Sequence, residues 1–227
     1  KTWKHHPKVI FALGNHDNYP KECFPPGPFW VYEMAAEIWR GRLSREAVKM
    51  LSKSGFYHER IAEGLRAIVL NMNLYYSENN CTDISDPDPA GQLAWLRSTL
   101  KESARIGEKV IVVGHIPPGV PLFGKRNGIR NVSNDRFVKT FDGFHKSIVG
   151  SFYGHHHTDT FQFIGDDARK PGNFHVAHIG GAASTWVNRN PSFRVFDFNE
   201  STFELLDYIT LFADIPDANE KGKLEWK

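Results

Sequence analysis

The chain places three of its eleven histidines in one run of eight residues, Gly154-His155-His156-His157-Thr158-Asp159-Thr160-Phe161. An apolar segment at residues 147–153 precedes this run and predicts a buried strand. Polar side chains at the exit of a buried strand lie where α/β proteins carry out their chemistry. Because alternate side chains of an extended backbone point to one side, we expect His155 and His157 to form a pair and His156 to point away. The paired imidazoles either bind one metal ion together or bind one each.

Two other apolar segments end in the same way, with a glycine followed by polar side chains. The segment at residues 9–13 is followed by Gly-Asn-His-Asp, and the segment at residues 109–113 by Gly-His. Since the carboxyl ends of parallel strands share one edge of a sheet, we expect the side chains that follow all three strands to converge on one cleft. These side chains are Asn15, His16, His115, His155 and His157.

The chemistry of this set favours a metal site. Imidazole nitrogens and an amide oxygen suit a borderline divalent metal such as zinc, iron, manganese or cobalt. The set contains no cysteine, which argues against a closed structural zinc site. His16 follows the candidate ligand Asn15 and is the natural proton donor, and we expect Asp17 beside it to set its tautomer and raise its pKa.

The spacing of apolar residues indicates an α/β protein in two parts. Strands alternate with helices up to about residue 153, and short strands without helices follow, which predicts a meander in one or two sheets. Asp88 is expected to cap the third helix, with Pro89 at its first position. Helices are predicted at residues 29–40, 44–53, 89–106 and 135–144. Strands are predicted at residues 9–13, 65–72, 109–113, 148–153, 161–164, 175–179, 193–198 and 202–208.

Composition limits the classes of partner. The 227 residues are 41% apolar and 24% charged, with a net charge of +2 and no long basic run, so nothing favours a nucleic-acid polymer or an acidic membrane surface. Three glycosylation sequons begin at Asn80, Asn131 and Asn199, which favours the secretory route. In such a protein Cys23 and Cys81 are expected to form a disulfide, the alternative being two unrelated reduced thiols.

The three glycine motifs, Gly-Asn-His-Asp, Gly-His and Gly-His-x-His, in this order after apolar strands, resemble the calcineurin-like metallophosphoesterases. Longer segments are similar to the acid sphingomyelinase branch, and residues 73–76 (Asn-Leu-Tyr-Tyr) resemble its acid sphingomyelinase-like phosphodiesterases. The longer segments lie at residues 55–57, 70–73, 88–96, 115–119 and 190–195. The resemblance covers roughly residues 8–212, and we expect residues 1–212 to be the metallophosphoesterase domain and 213–227 a polar tail or the start of a further segment.

The resemblance implies a fold and a mechanism. The fold would be a four-layer α/β/β/α sandwich, and the cofactors two divalent metal ions, zinc first, with manganese, iron or cobalt as alternatives. Asn15, His115 and His155 would bind one metal and His157 the other. Between the metals a bridging hydroxide would attack phosphorus in line. His16 would protonate the leaving oxygen.

One departure from the family pattern concerns two motifs that members carry upstream, an Asp-x-His and a Gly-Asp. Neither occurs before Gly14, and Asp166 follows Gly165 in the wrong order. Residues 1–4 do not resemble a natural start, and we expect the chain to be a piece truncated at its N-terminus. Such a piece alone should bind metal weakly and hydrolyse nothing.

The sequence therefore predicts a secreted or lysosomal, metal-dependent phosphodiesterase. Its substrate would be a phosphodiester or pyrophosphate of a nucleotide, or a phosphocholine-type lipid that implies peripheral contact with a membrane. One alternative is a phosphomonoesterase on the same fold. A second is a binding or regulatory module that kept the fold without catalysis. The oligomeric state is left open.

Overall fold

The computed structural model describes residues 7–121, 128–165, 167, 169–170, 172–186 and 188–227. Its helices are α1 Trp30–Trp39, α2 Arg45–Ser54, α3 Gln92–Arg105, α4 Asn131–Thr140 and α5 Ile215–Lys221. Its strands are β1 Tyr57–Ala62, β2 Leu65–Val69, β3 Lys109–Val113, β4 Ile148–Tyr153, β5 Thr160–Gly165, β6 Phe174–Ile179, β7 Ser192–Phe198 and β8 Leu205–Phe212. Short 3-10 turns lie at Met72–Tyr75, Pro89–Gly91 and His145–Ser147.

Six of the strands form one mixed sheet in the order β1-β2-β3-β4-β6-β5. Strands β2, β3, β4 and β6 run parallel, and β1 and β5 pair antiparallel at the two edges. The parallel arrangement of β3 and β4 brings their carboxyl ends to one edge, as the sequence predicts. The predicted meander is wrong for β6, which lies between β4 and β5. Strand β6 is more deeply buried than β5, which suits its position inside the sheet.

The predicted strand at residues 9–13 is wrong, because these residues pair with a side chain and not with a neighbouring strand. The Phe11 N–H donates to the Tyr57 hydroxyl oxygen at 3.2 Å, and the Tyr57 O–H donates to the Phe11 carbonyl at 2.9 Å. The Leu13 carbonyl accepts from Asn73 Nδ2 at 3.0 Å. The segment is thus fixed by tyrosine and asparagine side chains, and it still delivers Asn15 to the edge of the sheet.

The third predicted helix begins later than its sequence indicates. Ala90 and Gly91 have φ angles of 59° and 66°, so Pro89–Gly91 forms a separate turn and α3 begins at Gln92. Asp88 still caps the helix, since its carboxylate accepts from the backbone N–H of Leu93 at 2.6 Å and of Ala94 at 3.1 Å. Asp88 thus binds the first N–H groups of the helix as predicted, although Gly91 is the residue at the N-cap position and Pro89 lies in the preceding turn.

Each face of the six-stranded sheet covers its own apolar cluster. Val112 belongs to the cluster beneath α3 and α4, whereas Val113, the next residue of β3, packs in the cluster beneath α1 and α2. The antiparallel pair β7–β8 forms a second, two-stranded sheet. It packs on the face of Val113, where Phe196 contacts Phe152 and His178 with ring centroids 4.9 and 5.3 Å apart. The described residues thus form a mixed α/β fold, and the complete four-layer sandwich stays a prediction.

Residues 213–227 contain more structure than the predicted polar tail. Helix α5 begins after the capping residue Asp214 and buries none of its residues. The backbone of Lys227 exchanges two hydrogen bonds with Phe212, and the Trp226 ring lies 5.0 Å from that of Phe193. The division between residues 1–212 and 213–227 stays a prediction. Within the described ranges, no helix is both long and apolar enough to cross a bilayer.

Cys23 and Cys81 form the predicted disulfide, and 58 positions of sequence separate them. Closing a loop of this length restricts the unfolded chain, which stabilises the fold by about 4 kcal/mol in the chain-entropy model. We expect the Cys23→Ala/Cys81→Ala double variant to lose about 2–4 kcal/mol in free energy of unfolding, measured by urea denaturation. A midpoint equal to that of the unaltered chain under oxidising conditions would contradict this expectation.

A buried histidine pair joins β6 to the turn before β4. His175 Nδ1 lies 3.0 Å from His145 Nδ1, and His175 Nε2 lies 2.8 Å from Ser151 Oγ. Burial, and then the proximity of His145, lower the pKa of His175 to about 3. The Asp142 carboxylate lies beside His145, with Oδ1 3.8 Å from His145 Nε2. Both ring nitrogens of His175 therefore have a polar partner, and its burial beside His145 favours the neutral form.

This pair predicts acid sensitivity. Below pH 6.5 the unfolded chain binds a proton at His175 that the folded chain excludes until its own pKa of about 3. The free energy of unfolding should therefore fall as pH falls through this window, by about 1.4 kcal/mol per pH unit for this one group. In His175→Gln, the free energy of unfolding, measured by urea denaturation between pH 7 and pH 4, should depend less steeply on pH, by the contribution of one proton. An identical slope would show that His175 titrates normally.

Candidate metal centre

Three side chains from distant parts of the sequence meet at the carboxyl edge of the sheet. Asn15 Oδ1 lies 2.9 Å from His115 Nε2 and 3.2 Å from His155 Nδ1. The two imidazole centroids are 5.2 Å apart. His115 follows β3, His155 follows β4, and the Gly154 N–H donates to the His115 carbonyl at 3.0 Å, which ties the two strand ends together. The convergence predicted for these three residues is present.

Gly114 permits this close approach. A Cβ atom at this position would lie 2.8 Å from Met72 and from the Tyr153 ring, a distance at which packed side chains clash. The ends of β3 and β4 can therefore lie side by side only without a side chain at residue 114. The glycine before His115 therefore serves the tight packing of the two strand ends.

The spacing of the donor atoms fits a metal ion. Oxygen and nitrogen ligands lie about 2.0–2.2 Å from zinc, so two ligands of one tetrahedral ion lie roughly 3.3–3.6 Å apart. Asn15 Oδ1 lies 2.9 and 3.2 Å from the two imidazole nitrogens, so a small outward shift of the side chains would give this spacing. His157 Nδ1 is buried with no hydrogen-bond partner among the described residues, so this atom is also available to bind a ligand.

The donor set is nevertheless incomplete for two ions. Throughout the described part of the chain, no group of three or more His, Cys, Asp or Glu side chains is arranged to hold a metal. Asn15, His115 and His155 could bind one ion because the amide oxygen completes the set. A second ion would have His157 as its single candidate ligand from the predicted set.

The backbone of the histidine loop corrects the argument from alternation. His155 and His157 have φ angles of 68° and 53°, so the loop is left-handed and not extended. The two side chains share the cleft because of this turn, which costs roughly 1–3 kcal/mol for each residue and requires support from its surroundings. His156 also lines the cleft, contrary to the prediction that it points away.

Burial sets the charge of the two central imidazoles. Desolvation lowers the pKa of His115 to about 4, and Asp17 opposes this effect. Desolvation, together with the charge of His115 and its neighbours, lowers the pKa of His155 to about 3. Both rings are therefore neutral at physiological pH, and neutral imidazole is the form that binds a metal.

His16 lies at the mouth of the cleft, with 68% of its side chain exposed. The predicted partner Asp17 makes a different contact, since its Oδ2 accepts from the Gly14 N–H at 2.7 Å and closes the turn. The carboxylate nearest the His16 ring belongs to Glu22, whose Oε1 lies 3.7 Å from Nε2. Asp17 thus supports the backbone of the Gly-Asn-His-Asp turn.

Glu22 is the site residue that the sequence did not reveal. Its backbone N–H donates to the Asn15 carbonyl at 2.8 Å, and its Oε1 lies 3.5 Å from Asn15 Nδ2. The contact directs the amide oxygen of Asn15 towards the two histidines. Glu22 has a left-handed backbone, with φ 64°, in a proline-rich loop where no spacing or motif distinguishes it.

The cleft has a volume of about 1200 Å³, enough for a ligand of nucleotide size. Trp186 stands at its rim with 70% of its surface exposed. The Tyr76 ring lies 5.2 Å from His155. Tyr75 is buried and donates its hydroxyl to Asp88 at 3.2 Å, so it does not reach the cleft. The remaining wall is formed by Ser184, Thr185 and Asn188.

A family model described as calcineurin-like phosphoesterase matches residues 1–159, a span that contains Asn15, His16 and all the candidate histidine ligands. The chain belongs to the calcineurin-like phosphoesterase family. Within the family, it is similar to the acid sphingomyelinase-like phosphodiesterases. This assignment accounts for the order in which the three glycine motifs follow one another along the chain.

Three relatives illustrate the similarity. Human acid sphingomyelinase-like phosphodiesterase 3b is 37% identical over 97% of this chain and 50% of its own length. Sphingomyelinase phosphodiesterase C of Dictyostelium discoideum is 33% identical over 96% of this chain and 51% of its own length. Rat cyclic GMP-AMP phosphodiesterase SMPDL3A is 36% identical over 96% of this chain and 51% of its own length. The chain thus spans about half the length of these relatives. The solved structure of PhoD aligns with a TM-score of 0.46 and 11% identity over 81% of this chain and 41% of its own, which adds nothing to the assignment.

The predicted glycosylation sites occupy different environments. Asn80 and Asn131 are exposed. Asn199 lies in the turn between β7 and β8, where its Oδ1 accepts from the N–H groups of Ser201 and Thr202, each at 2.9 Å. Glycosylation of all three stays a prediction. The disulfide agrees with an oxidising compartment.

Proposed function

We propose that the protein is a metal-dependent phosphodiesterase of the acid sphingomyelinase-like type. Its substrate is a phosphodiester or pyrophosphate, either of a nucleotide or of a phosphocholine-type lipid. The observation that supports this function is the arrangement of His115 and His155 about Asn15 Oδ1, at 2.9 and 3.2 Å, in a cleft that His16 and His157 also line. The names of the relatives support a diester substrate.

Each residue has a distinct part in this proposal. Asn15, His115 and His155 hold one divalent metal ion, and His157 contributes to a second, with zinc the first choice for both. When bound, the ions supply a Lewis acid for the phosphoryl oxygens and lower the pKa of the attacking water. His16 stands at the exposed mouth of the cleft and gives its proton to the leaving oxygen. Glu22 holds the Asn15 amide in the orientation for binding.

The compartment and partners follow from other features. A disulfide and three sequons support a secreted or lysosomal protein. A lipid substrate would bring the cleft to a membrane surface, and the exposed Trp186 ring at the rim of the cleft would then face the lipid. The net charge of +2 gives no support for a nucleic-acid polymer as substrate.

The experiment uses the intact protein that contains these residues. We expect bis(p-nitrophenyl) phosphate to be cleaved at least ~10 times faster than p-nitrophenyl phosphate, an effect of ~1.4 kcal/mol on the barrier. Chelation should abolish this activity and zinc should restore it. Comparison of a nucleotide diester with sphingomyelin vesicles then separates the two substrate classes. Preference for the monoester would favour the phosphomonoesterase, and metal binding without any hydrolysis would favour the binding module.

A further inference from the structure

Arg194, on β7, reaches the loop that carries the metal-site histidines. Its side chain is only 4% exposed and forms an ion pair with Asp159, two residues beyond His157. The same guanidinium donates to the Thr160 carbonyl at 3.1 Å. Arg194 therefore contacts both the side chain and the backbone of the segment that leaves the metal-site loop.

A second side chain of the hairpin contacts the same carboxylate. Thr210 lies directly opposite Arg194 in the β7–β8 register. Its hydroxyl donates to Asp159 Oδ2 at 2.5 Å, whereas Arg194 pairs with Oδ1. The two oxygens of Asp159 are thus held by a cross-strand pair, which fixes the orientation of the carboxylate as well as its position.

Apart from Asp159 and Thr160, the surroundings of Arg194 provide few partners for a cation. The guanidinium carbon lies 4.6 Å above the centre of the Tyr208 ring. Among the described residues, Arg194 Nε and Nη1 are buried without hydrogen-bond partners. Burial lowers the pKa of Arg194, which shows that burying this cation is unfavourable. A buried arginine with incomplete hydrogen bonding is tolerated where it maintains a specific geometry.

The histidine loop needs such support from outside. His155 and His157 both have left-handed backbones, which persist only when the surroundings fix them. The loop is anchored before His155 by the hydrogen bond from Gly154 N–H to the His115 carbonyl, 3.0 Å long. Directly after His157, Asp159 and Thr160 join the loop to the hairpin through their contacts with Arg194 and Thr210.

We infer that Arg194 and Thr210 are positioning residues of the metal centre, acting through Asp159. The β7–β8 hairpin thereby belongs to the working site, although neither residue lines the cleft. The inference rests on the proposed function in one respect, which is that the histidine loop binds metal. Loss of Arg194 leaves the donor atoms intact and frees the loop that arranges them.

The first experiment measures metal affinity in the intact protein. We expect Arg194→Met to weaken zinc binding by about 10- to 100-fold, the usual effect of losing a group that orients a ligand. The visible spectrum of the cobalt-substituted protein should also change, since it reports ligand geometry. Arg60→Met is the matched control, because Arg60 pairs with Glu108, which keeps Arg66 as a second partner. A purely structural arginine would lower the unfolding temperature without altering zinc affinity or the cobalt spectrum.

The second experiment measures loop mobility without metal. Amide hydrogens of residues 155–160 should exchange faster in Arg194→Met than in Arg60→Met. If the unaltered protein binds no metal but this exchange still increases, the proposed function fails and the contact from the hairpin to the loop stands. If Arg194→Met does not fold, Thr210→Val provides the same comparison while keeping the ion pair. Unchanged exchange together with unchanged zinc affinity would overturn the inference.

Discussion

His155→Ala is expected to abolish metal binding at the centre and to reduce phosphodiesterase activity by about 10³-fold or more. A metal ion contributes several kcal/mol to stabilising the transition state, and each ~1.4 kcal/mol is a factor of ten in rate. The His155 Nδ1 atom lies 3.2 Å from Asn15 Oδ1, so its removal leaves one imidazole and one amide, too few ligands for a stable site. The pKa of His155, lowered to about 3, keeps the ring neutral at physiological pH, and neutral imidazole is the form that binds a metal.

Metal content after dialysis, measured by mass spectrometry, should be compared among three variants of the intact protein. His155→Ala should lose the ion held with Asn15, and His157→Ala should chiefly lose the other. His58→Gln is the control, because His58 stacks on Trp95 at 6.1 Å, on the helix α3 side of the fold. Equal loss of both ions in His157→Ala would show one shared site in place of two. Full metal content in His155→Ala would contradict the assigned ligand set.

The convergence of the site was predictable because it depends on local patterns. A short apolar run ending in glycine marks each of β3 and β4, and parallel pairing then brings His115 next to His155. The metal chemistry stays a prediction that rests on the residue types. By contrast, residues 9–13 have the same apolar pattern but pair with Tyr57, which is 46 residues away from Phe11 in sequence. No local pattern shows which partner satisfies a backbone group.

The finer geometry of the site depends on long-range contacts that sequence patterns do not carry. The left-handed backbone at His155 and His157 has only a weak compositional mark, since histidine is enriched in this conformation but most histidines do not adopt it. Glu22 is found only through its contacts with Asn15, and Arg194 only through Asp159, 35 positions earlier in the sequence. Extended alternation predicted that His155 and His157 pair while His156 points away, but the loop is left-handed and all three residues line the cleft.

His16→Ala is expected to lower turnover of substrates with poor leaving groups by about 10²- to 10⁴-fold while leaving metal content unchanged. A general acid matters most when the departing oxygen cannot leave without a proton. His16 is suited to this part because it adjoins Asn15 and remains 68% exposed at the mouth of the cleft, where a leaving group would emerge. A p-nitrophenolate leaving group departs without protonation, so its release should be much less affected.

The measurement is kcat/KM for a series of diesters whose leaving groups differ in basicity, with metal content determined on the same preparations. Unaltered protein should show a shallow dependence on leaving-group basicity, and His16→Ala a steep one. Asp17→Ala is the comparison variant, because Asp17 accepts the Gly14 N–H at 2.7 Å and alanine has no acceptor. Its loss should disturb the Gly-Asn-His-Asp turn and reduce metal content without steepening the dependence. If His16→Ala affects good and poor leaving groups equally, or empties the metal centre, His16 binds or orients a ligand and is not the acid.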